Sequence, residues 1–181
     1  MDAIDMSGPW SEPQERSPIL SAHAYIVWAI VCAVRQRPAN DTVLRAAARK
    51  ALNESTWAAT ETRRSMKYKL RFISQGVLEL CRIHGHLDAW AKEGGPIAVR
   101  HEHVVQRKEL KEQLLSTSCL ADVHETLEQA QGCVVTLEED GRLRCAQGSG
   151  WNRYTLAGVG AWDRRDQRWQ VHPRVPVSQG Q

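Results

Sequence analysis

Cys133-Val134-Val135-Thr136-Leu137-Glu138-Glu139-Asp140 is the stretch whose reading decides the fold. A short apolar, β-branched run reaches a threonine, and a glutamate follows three places later. The run reads as a buried strand. Thr136 and Glu139 form a capping box, in which each side chain satisfies a backbone N–H at a helix start, so a helix follows the strand at once. Upstream, Ala121 to Gln131 is an amphipathic helix with Leu120, Val123, Leu127 and Ala130 as its apolar stripe, and Lys108 to Leu115 is a shorter one. Before them, Ile97-Ala98-Val99 and Val104-Val105 read as strand pieces around Arg100-His101-Glu102-His103. Gly94-Gly95-Pro96 is the clearest punctuation in the chain.

The first half is helical in pattern. Pro18 suits the first turn of a helix running to about Gln36. Asn40 or Asp41 can cap a second helix over 42–53, whose Arg45, Arg49 and Lys50 fall near one face. Residues 54–66 read as helical or mixed and carry Arg63 and Arg64. Lys67, Lys69 and Arg71 alternate with Tyr68, Leu70 and Phe72, as in a short strand. Ser74 opens a further helix with Val77, Leu78 and Cys81 on one side, and Gly85 stops it. Gly148-Ser149-Gly150 reads as a hinge before a Trp- and Arg-rich segment over 151–172. The fold class expected is α+β, a helical N-terminal half followed by a small strand–strand–helix C-terminal half. Residues 1–17 form a tail or irregular lead-in and 173–181 a frayed tail. A single domain covers 18–172, with a helical part over 18–93 and an α+β part over 97–172.

At 181 residues the chain is large enough for a real hydrophobic core. Its net charge of +3 does not diagnose nucleic-acid binding, so an attractive surface has to come from clustering. The five cysteines, Cys32, Cys81, Cys119, Cys133 and Cys145, have no CxxC spacing, which argues against a disulfide framework or a cysteine zinc site. They read as thiols in a reducing, cytoplasmic compartment. Asp2, Asp5 and Glu12 occupy the region where a secretory signal carries basic residues. The most apolar run, Ile19 to Val34, is shorter than the roughly 20 residues that cross a bilayer. No membrane partner is expected.

His101-Glu102-His103 is the main chemical locus. On a strand the two imidazoles share one face and Glu102 takes the other. Paired imidazoles can bind a metal or move protons, and a carboxylate beside them can hold a hard cation. The plainer reading is a polar strand end with ordinary hydrogen bonds. His84-Gly85-His86-Leu87-Asp88 and His124 read as surface features. Trp151, Tyr154 and Trp162 read as packing residues, whereas Arg153, Arg164, Arg165 and Arg168 read as outward-facing. No phosphate-binding glycine loop, dinucleotide fingerprint or Gly-x-Ser-x-Gly elbow is present.

Glu102-His103-Val104-Val105, with the strand and capped helix over 133–144, resembles the HNH, or ββα-metal, nucleases. The resemblance implies that Glu102 holds a divalent metal such as Mg2+, that His103 activates water, and that Asp140 supplies the helix ligand, with His101 in support. The chain departs from that pattern in its longer spacer, in the lack of an identifiable asparagine, in Asp140 where histidine is commoner, and in Arg144 where a second ligand often stands. Arg100, Arg107, Arg142 and Arg144 flank the motifs and could hold phosphates, as could Arg153, Arg164 and Arg165 of the later segment.

Three functions remain open from these residues. The first is a divalent-metal nuclease or nuclease-like protein acting on DNA or RNA, of the kind used by phages, plasmids or bacterial defence and counter-defence systems. The second is a non-catalytic module that binds nucleic acid or inhibits a protein partner, through the basic helices around Arg45, Arg49, Arg63 and Arg64 or through the Trp/Arg segment. The third is a metal-free, toxin-like ribonuclease using His101 and His103 as acid and base.

Overall fold

The computed structural model describes residues 17–38, 40–60, 69–87 and 99–173. In chain order its elements are α1 (Ser17–Arg35), α2 (Thr42–Thr60), β1 (Phe72–Ser74), α3 (Gln75–His84), β2 (Val99–His103), α4 (Arg107–Ser116), α5 (Leu120–Glu128), β3 (Gly132–Thr136), α6 (Leu137–Cys145), α7 (Gly150–Ala157), β4 (Ala161–Asp163) and β5 (Arg168–Val171). The chain is α+β, with helices filling the first half except for β1 and the remaining strands in the second. Arg63, Arg64, Lys67, Tyr68, Asp88, the Gly94-Gly95-Pro96 break, the lead-in over 1–16 and the tail from 174 onward lie outside the described residues.

Contacts divide the chain into two units, one of Met1–Pro13, Lys67–Glu102 and Cys133–Gln181 and one of Gln14–Met66 and His103–Gly132. The helical unit holds α1, α2, α4 and α5, so it draws on both halves of the sequence. Its core joins Leu20, Ala24, Val27 and Val31 of α1 to Leu52 and Ala59 of α2, Leu110 and Leu114 of α4, and Val123 and Leu127 of α5. The α1 residues recur at steps of three and four, the period that puts side chains on one helix face. α2 runs on to Thr60, past the end at 53 expected from its pattern. Leu52, Thr56 and Ala59 continue its inner face, and the Thr56 and Thr60 hydroxyls donate back to the Asn53 and Trp57 carbonyls at 3.0 and 2.7 Å. That bonding lets two otherwise weak helix formers sit buried in the last turns.

The sheet unit is built on the strand order β2-β3-β1-β4-β5. β1 pairs in parallel with β3, Phe72 opposite Cys133 and Ile73 opposite Val134, and antiparallel with β4. Each of the two central strands leads directly into a helix. Ser74 caps α3 by accepting from the Val77 N–H at 3.2 Å, and Thr136 caps α6 within the capping box read from the sequence. Because β1 and β3 are parallel neighbours, the two helix starts lie side by side. Gly85 closes α3 at φ 81°, a backbone state that favours glycine. Gly148 and Gly150 take positive φ around Ser149, the residue that precedes α7.

β4 and β5 form a hairpin with Trp162 opposite Trp169, their rings edge to face at 5.2 Å. Its turn is organised by Asp163, which accepts from the Arg165 and Asp166 N–H groups at 3.0 and 3.2 Å. Arg71 bridges Asp163 and Asp166 at 2.6 and 2.7 Å. Gln167 holds φ 48°, the left-handed state that costs a side-chain-bearing residue about 1 kcal/mol. Gln167→Gly is therefore expected to raise stability by about 0.5 kcal/mol and Gln167→Val to lower it by about 1 kcal/mol, read from urea midpoints. Equal stability of the two variants would contradict this turn geometry.

Burial alone would raise the Asp163 carboxyl, but the Arg71 hydrogen bonds and the two turn N–H groups outweigh it and bring it below its ordinary value. A carboxyl lowered by folding stabilises above its unfolded pKa, and that contribution fades as pH falls through the folded value. The stability gap between the chain and Asp163→Asn should thus be widest near neutrality and narrow in acid. A gap constant from pH 7 to about pH 2 would show that ionisation of Asp163 contributes nothing.

Candidate functional site

β2 carries Arg100, His101 and Glu102 in the sheet unit, while its last residue, His103, counts with the helical unit. Arg100 is exposed, His101 and Glu102 are half-buried and His103 is buried. The Val104 N–H donates to the Gln131 carbonyl at 2.9 Å, so the end of β2 lies beside the start of β3.

Glu102 meets a buried arginine. The Arg153 Nη2 lies 2.5 Å from the Glu102 Oε1, with the Arg153 side chain only 3% exposed. Arg153 comes from α7, which Trp151 and Tyr154 anchor: Trp151 packs edge-on against Phe72 at 4.7 Å and against Tyr154 at 5.1 Å. Arg153 was expected on the outside, but it is one residue from fully buried Tyr154 and its charge is held inside by Glu102. Arg164 is buried too and donates to the Leu70 carbonyl at 3.0 Å, because it follows the buried turn residue Asp163. These two arginines therefore do not form an outer phosphate-binding surface. Arg165 is exposed, as expected.

Two further polar groups belong to this cluster. Burial drives the Cys133 thiol well above its ordinary range, with the nearby Glu139 and Glu102 charges adding to the rise. Burial likewise raises the Tyr154 hydroxyl well above its usual value, reinforced by Cys133 and Glu102. Both are neutral at pH 7, so Cys133 is not an activated nucleophile.

On α6 the first turn holds Glu138, Glu139 and Asp140. Asp140 is buried and pairs with Arg144 one turn on at 2.7 Å. The more consequential acid is its neighbour. The Glu139 carboxylate accepts from the Thr136 N–H at 3.0 Å, from the Gly76 N–H at 2.9 Å and from the Ser74 hydroxyl. One side chain thus ties the start of α6 to the start of α3. The capping box signalled the first bond. The other two depend on the parallel pairing of β1 with β3, which no local pattern reveals.

In the helical unit, the His103 ring lies 5.2 Å from the Trp57 ring, and the Arg107 guanidinium sits 5.3 Å from the same ring. His103 ends β2 and Arg107 opens α4, and both pack on one indole. Arg142 is exposed and donates to the Gly158 carbonyl at 3.4 Å. Among the described residues, no three His, Cys, Asp or Glu side chains stand together so as to hold a metal ion. As they stand, both expected carboxylate ligands, Glu102 and Asp140, are engaged with arginines. His84 is exposed, His86 half-buried, and His124 lies 3.4 Å from Glu128 on the α5 surface.

Among the described residues, a further group of basic side chains without an ion pair lies at the end of α1 and the start of α2. Between Arg35 and Lys50 stand Arg35, Arg37, Arg45, Arg49 and Lys50 against one acid, Asp41, or five minus one, +4, where the whole chain sums to +3. Asp41 is used locally: its Oδ1 accepts from the Leu44 N–H at 2.9 Å at the start of α2. Arg35 donates to the Thr117 carbonyl and lies over the Trp28 ring, both neutral partners. Arg37, Arg49 and Lys50 are exposed and Arg45 half-buried. Compared with models of protein families, with curated proteins and with solved structures, the chain matches none.

Proposed function

We propose that the protein binds the phosphate backbone of a nucleic acid on the corner between α1 and α2. The observation that carries this reading is the excess of four positive charges between Arg35 and Lys50, none of them ion-paired among the described residues. Arg45 and Arg49 are one helical turn apart on α2, so their side chains project from the same face. Clustered arginines and lysines hold phosphates through charge and displace condensed counterions, which makes binding steeply dependent on salt. The test is polarisation of labelled single- and double-stranded DNA and RNA oligonucleotides at low and moderate salt. Binding that weakens at least tenfold in Arg45→Glu/Arg49→Glu/Lys50→Glu is the expected result. Full affinity in that variant would overturn the reading.

A second reading, hydrolysis of phosphodiester bonds with a divalent metal, is supported by the β3–α6 junction, which presents Asp140 in the first turn of α6. It requires Glu102 and Asp140 to give up Arg153 and Arg144. Incubating the same oligonucleotides with Mg2+ or Mn2+, with and without EDTA, tests it. Cutting that EDTA and His103→Ala both abolish would support it. No cutting would overturn it, and cutting that persists in EDTA would favour His101 and His103 as a metal-free acid–base pair.

A further inference from the structure

The outward face of α2 sets small residues among cations. Thr42, Val43, Ala46, Ala47, Arg49 and Lys50 are all exposed, Val43 at 79%. Thr42, Ala46 and Arg49 follow at steps of four and three, and Val43, Ala47 and Lys50 repeat those steps one residue on. The six therefore form two adjacent stripes of one face, while Leu52 and Ala59 turn the other face into the helical core. Glu54 is the one acid of α2 and follows Lys50, so residues 42–53 carry basic charge alone. From Arg35 through Thr56 the chain has no aromatic residue. The ring before this stretch, Trp28, packs on the helical core under Arg35, and the ring after it, Trp57, packs with His103 and Arg107.

We infer that the nucleic acid held at this corner is B-form duplex DNA, entered at its major groove by the outward face of α2. The inference rests on the phosphate binding proposed above and specifies its substrate. Size favours it. An α-helix with its side chains is about 10–12 Å across and fits a major groove about 12 Å wide, whereas a minor groove of about 6 Å excludes it. Thr42, Ala46 and Ala47 keep the entering face slim, so Arg49 and Lys50 beside them come within reach of base edges and phosphates. Val43 offers apolar surface of the kind that meets a thymine methyl. Charge favours it too. Arg35 and Arg37 at the exit of α1, and half-buried Arg45 at the margin of the face, supply cations for the phosphates that border the groove. The rival nucleic acids fit less well. Single strands are gripped by stacking their bases on aromatic rings, and this stretch contributes none. Duplex RNA has a deep, narrow major groove that side chains do not read.

Polarisation of a labelled DNA duplex, its separate strands and the RNA duplex of the same sequence, each titrated with the full chain, should show the DNA duplex bound at least tenfold more tightly than the others. A DNA duplex with bulky substituents on pyrimidine C5, which project into the major groove, should bind at least tenfold more weakly than the plain duplex. Filling the minor groove with netropsin should leave affinity within about twofold. Ala46→Trp adds bulk without charge at an exposed position, and should lower duplex affinity at least tenfold with unchanged circular dichroism. Ala46→Ser keeps the face slim and should bind like the wild-type chain. The groove-blocked duplexes test the same point with no change to the protein, so a misfolded variant does not spare the inference. Single strands or duplex RNA bound as tightly as duplex DNA would overturn this inference and leave the phosphate-binding reading standing. So would a loss caused by netropsin and not by the C5 substituents, or full duplex affinity in Ala46→Trp. Binding to none of these nucleic acids would overturn both.

Discussion

Glu139→Ala is expected to destabilise the chain by about 3–5 kcal/mol, more than any other acidic substitution in the sheet unit. Glu139 is 3% exposed, and its loss leaves the buried Ser74 hydroxyl and the half-buried Gly76 and Thr136 N–H groups without this acceptor. Each buried donor left unsatisfied costs about 1–3 kcal/mol, and the three share one acceptor, so their costs do not simply add. The same carboxylate explains Gly76. A β-carbon there would stand 2.9 Å from the Glu139 Oε1, closer than real contacts allow. Three hydrogen bonds hold that carboxylate in place, so Gly76→Ala should cost about 2 kcal/mol, and combining it with Glu139→Ala should cost clearly less than the sum, because the glutamate change removes the atoms that the new methyl would strike. Urea titrations of the four proteins form the cycle. Additive losses would contradict the contact between the two helix starts, and a loss under about 1 kcal/mol for Glu139→Ala would contradict its role as their tie.

Arg153→Met should be nearly as damaging, at about 3–5 kcal/mol, because it leaves the Glu102 carboxylate half-buried beside Tyr154 and Cys133 without its partner. Adding Glu102→Gln removes the stranded charge and should recover about half of the loss. Arg144 gives the contrast. Its side chain is 69% exposed while it pairs with Asp140, so Arg144→Ala should cost under about 1 kcal/mol. If Arg153→Met were as mild as Arg144→Ala, the Glu102 pair would be a surface contact and the buried cluster misread.

The Thr136 and Glu139 capping box, the Ser74 cap and the Gly85 stop were all legible in the sequence, because each depends on residues within four places of one another. The strand at Cys133 and the stripe of α5 were legible for the same reason, since a local apolar period determines which face is buried. What the sequence concealed was pairing across the chain. Arg153 looks like any surface arginine until α7 packs it against Glu102, 51 residues away. Asp140 drew attention as the helix acid, while Glu139 beside it makes the long-range bonds, a distinction created only by the parallel register of β1 with β3. The interleaving of α4 and α5 with α1 and α2 was hidden likewise, because amphipathic stripes record that a face is buried and not against what. The basic cluster on α2 was visible as spacing. What the structure adds is that Asp41 is taken up by a helix start and that, among the described residues, none of these basic groups is ion-paired.

The most direct test of the nucleic-acid reading is the salt dependence of oligonucleotide binding by the wild-type chain and by Arg45→Glu/Arg49→Glu/Lys50→Glu. Each phosphate neutralised contributes about −0.9 to the slope of log affinity against log salt on duplex DNA. With three residues of α2 engaged, the wild-type slope should be at least about 2 units steeper than that of the variant, whose affinity at low salt should fall at least tenfold. Equal slopes and equal affinities, or no binding by the wild-type chain at low salt, would contradict the account.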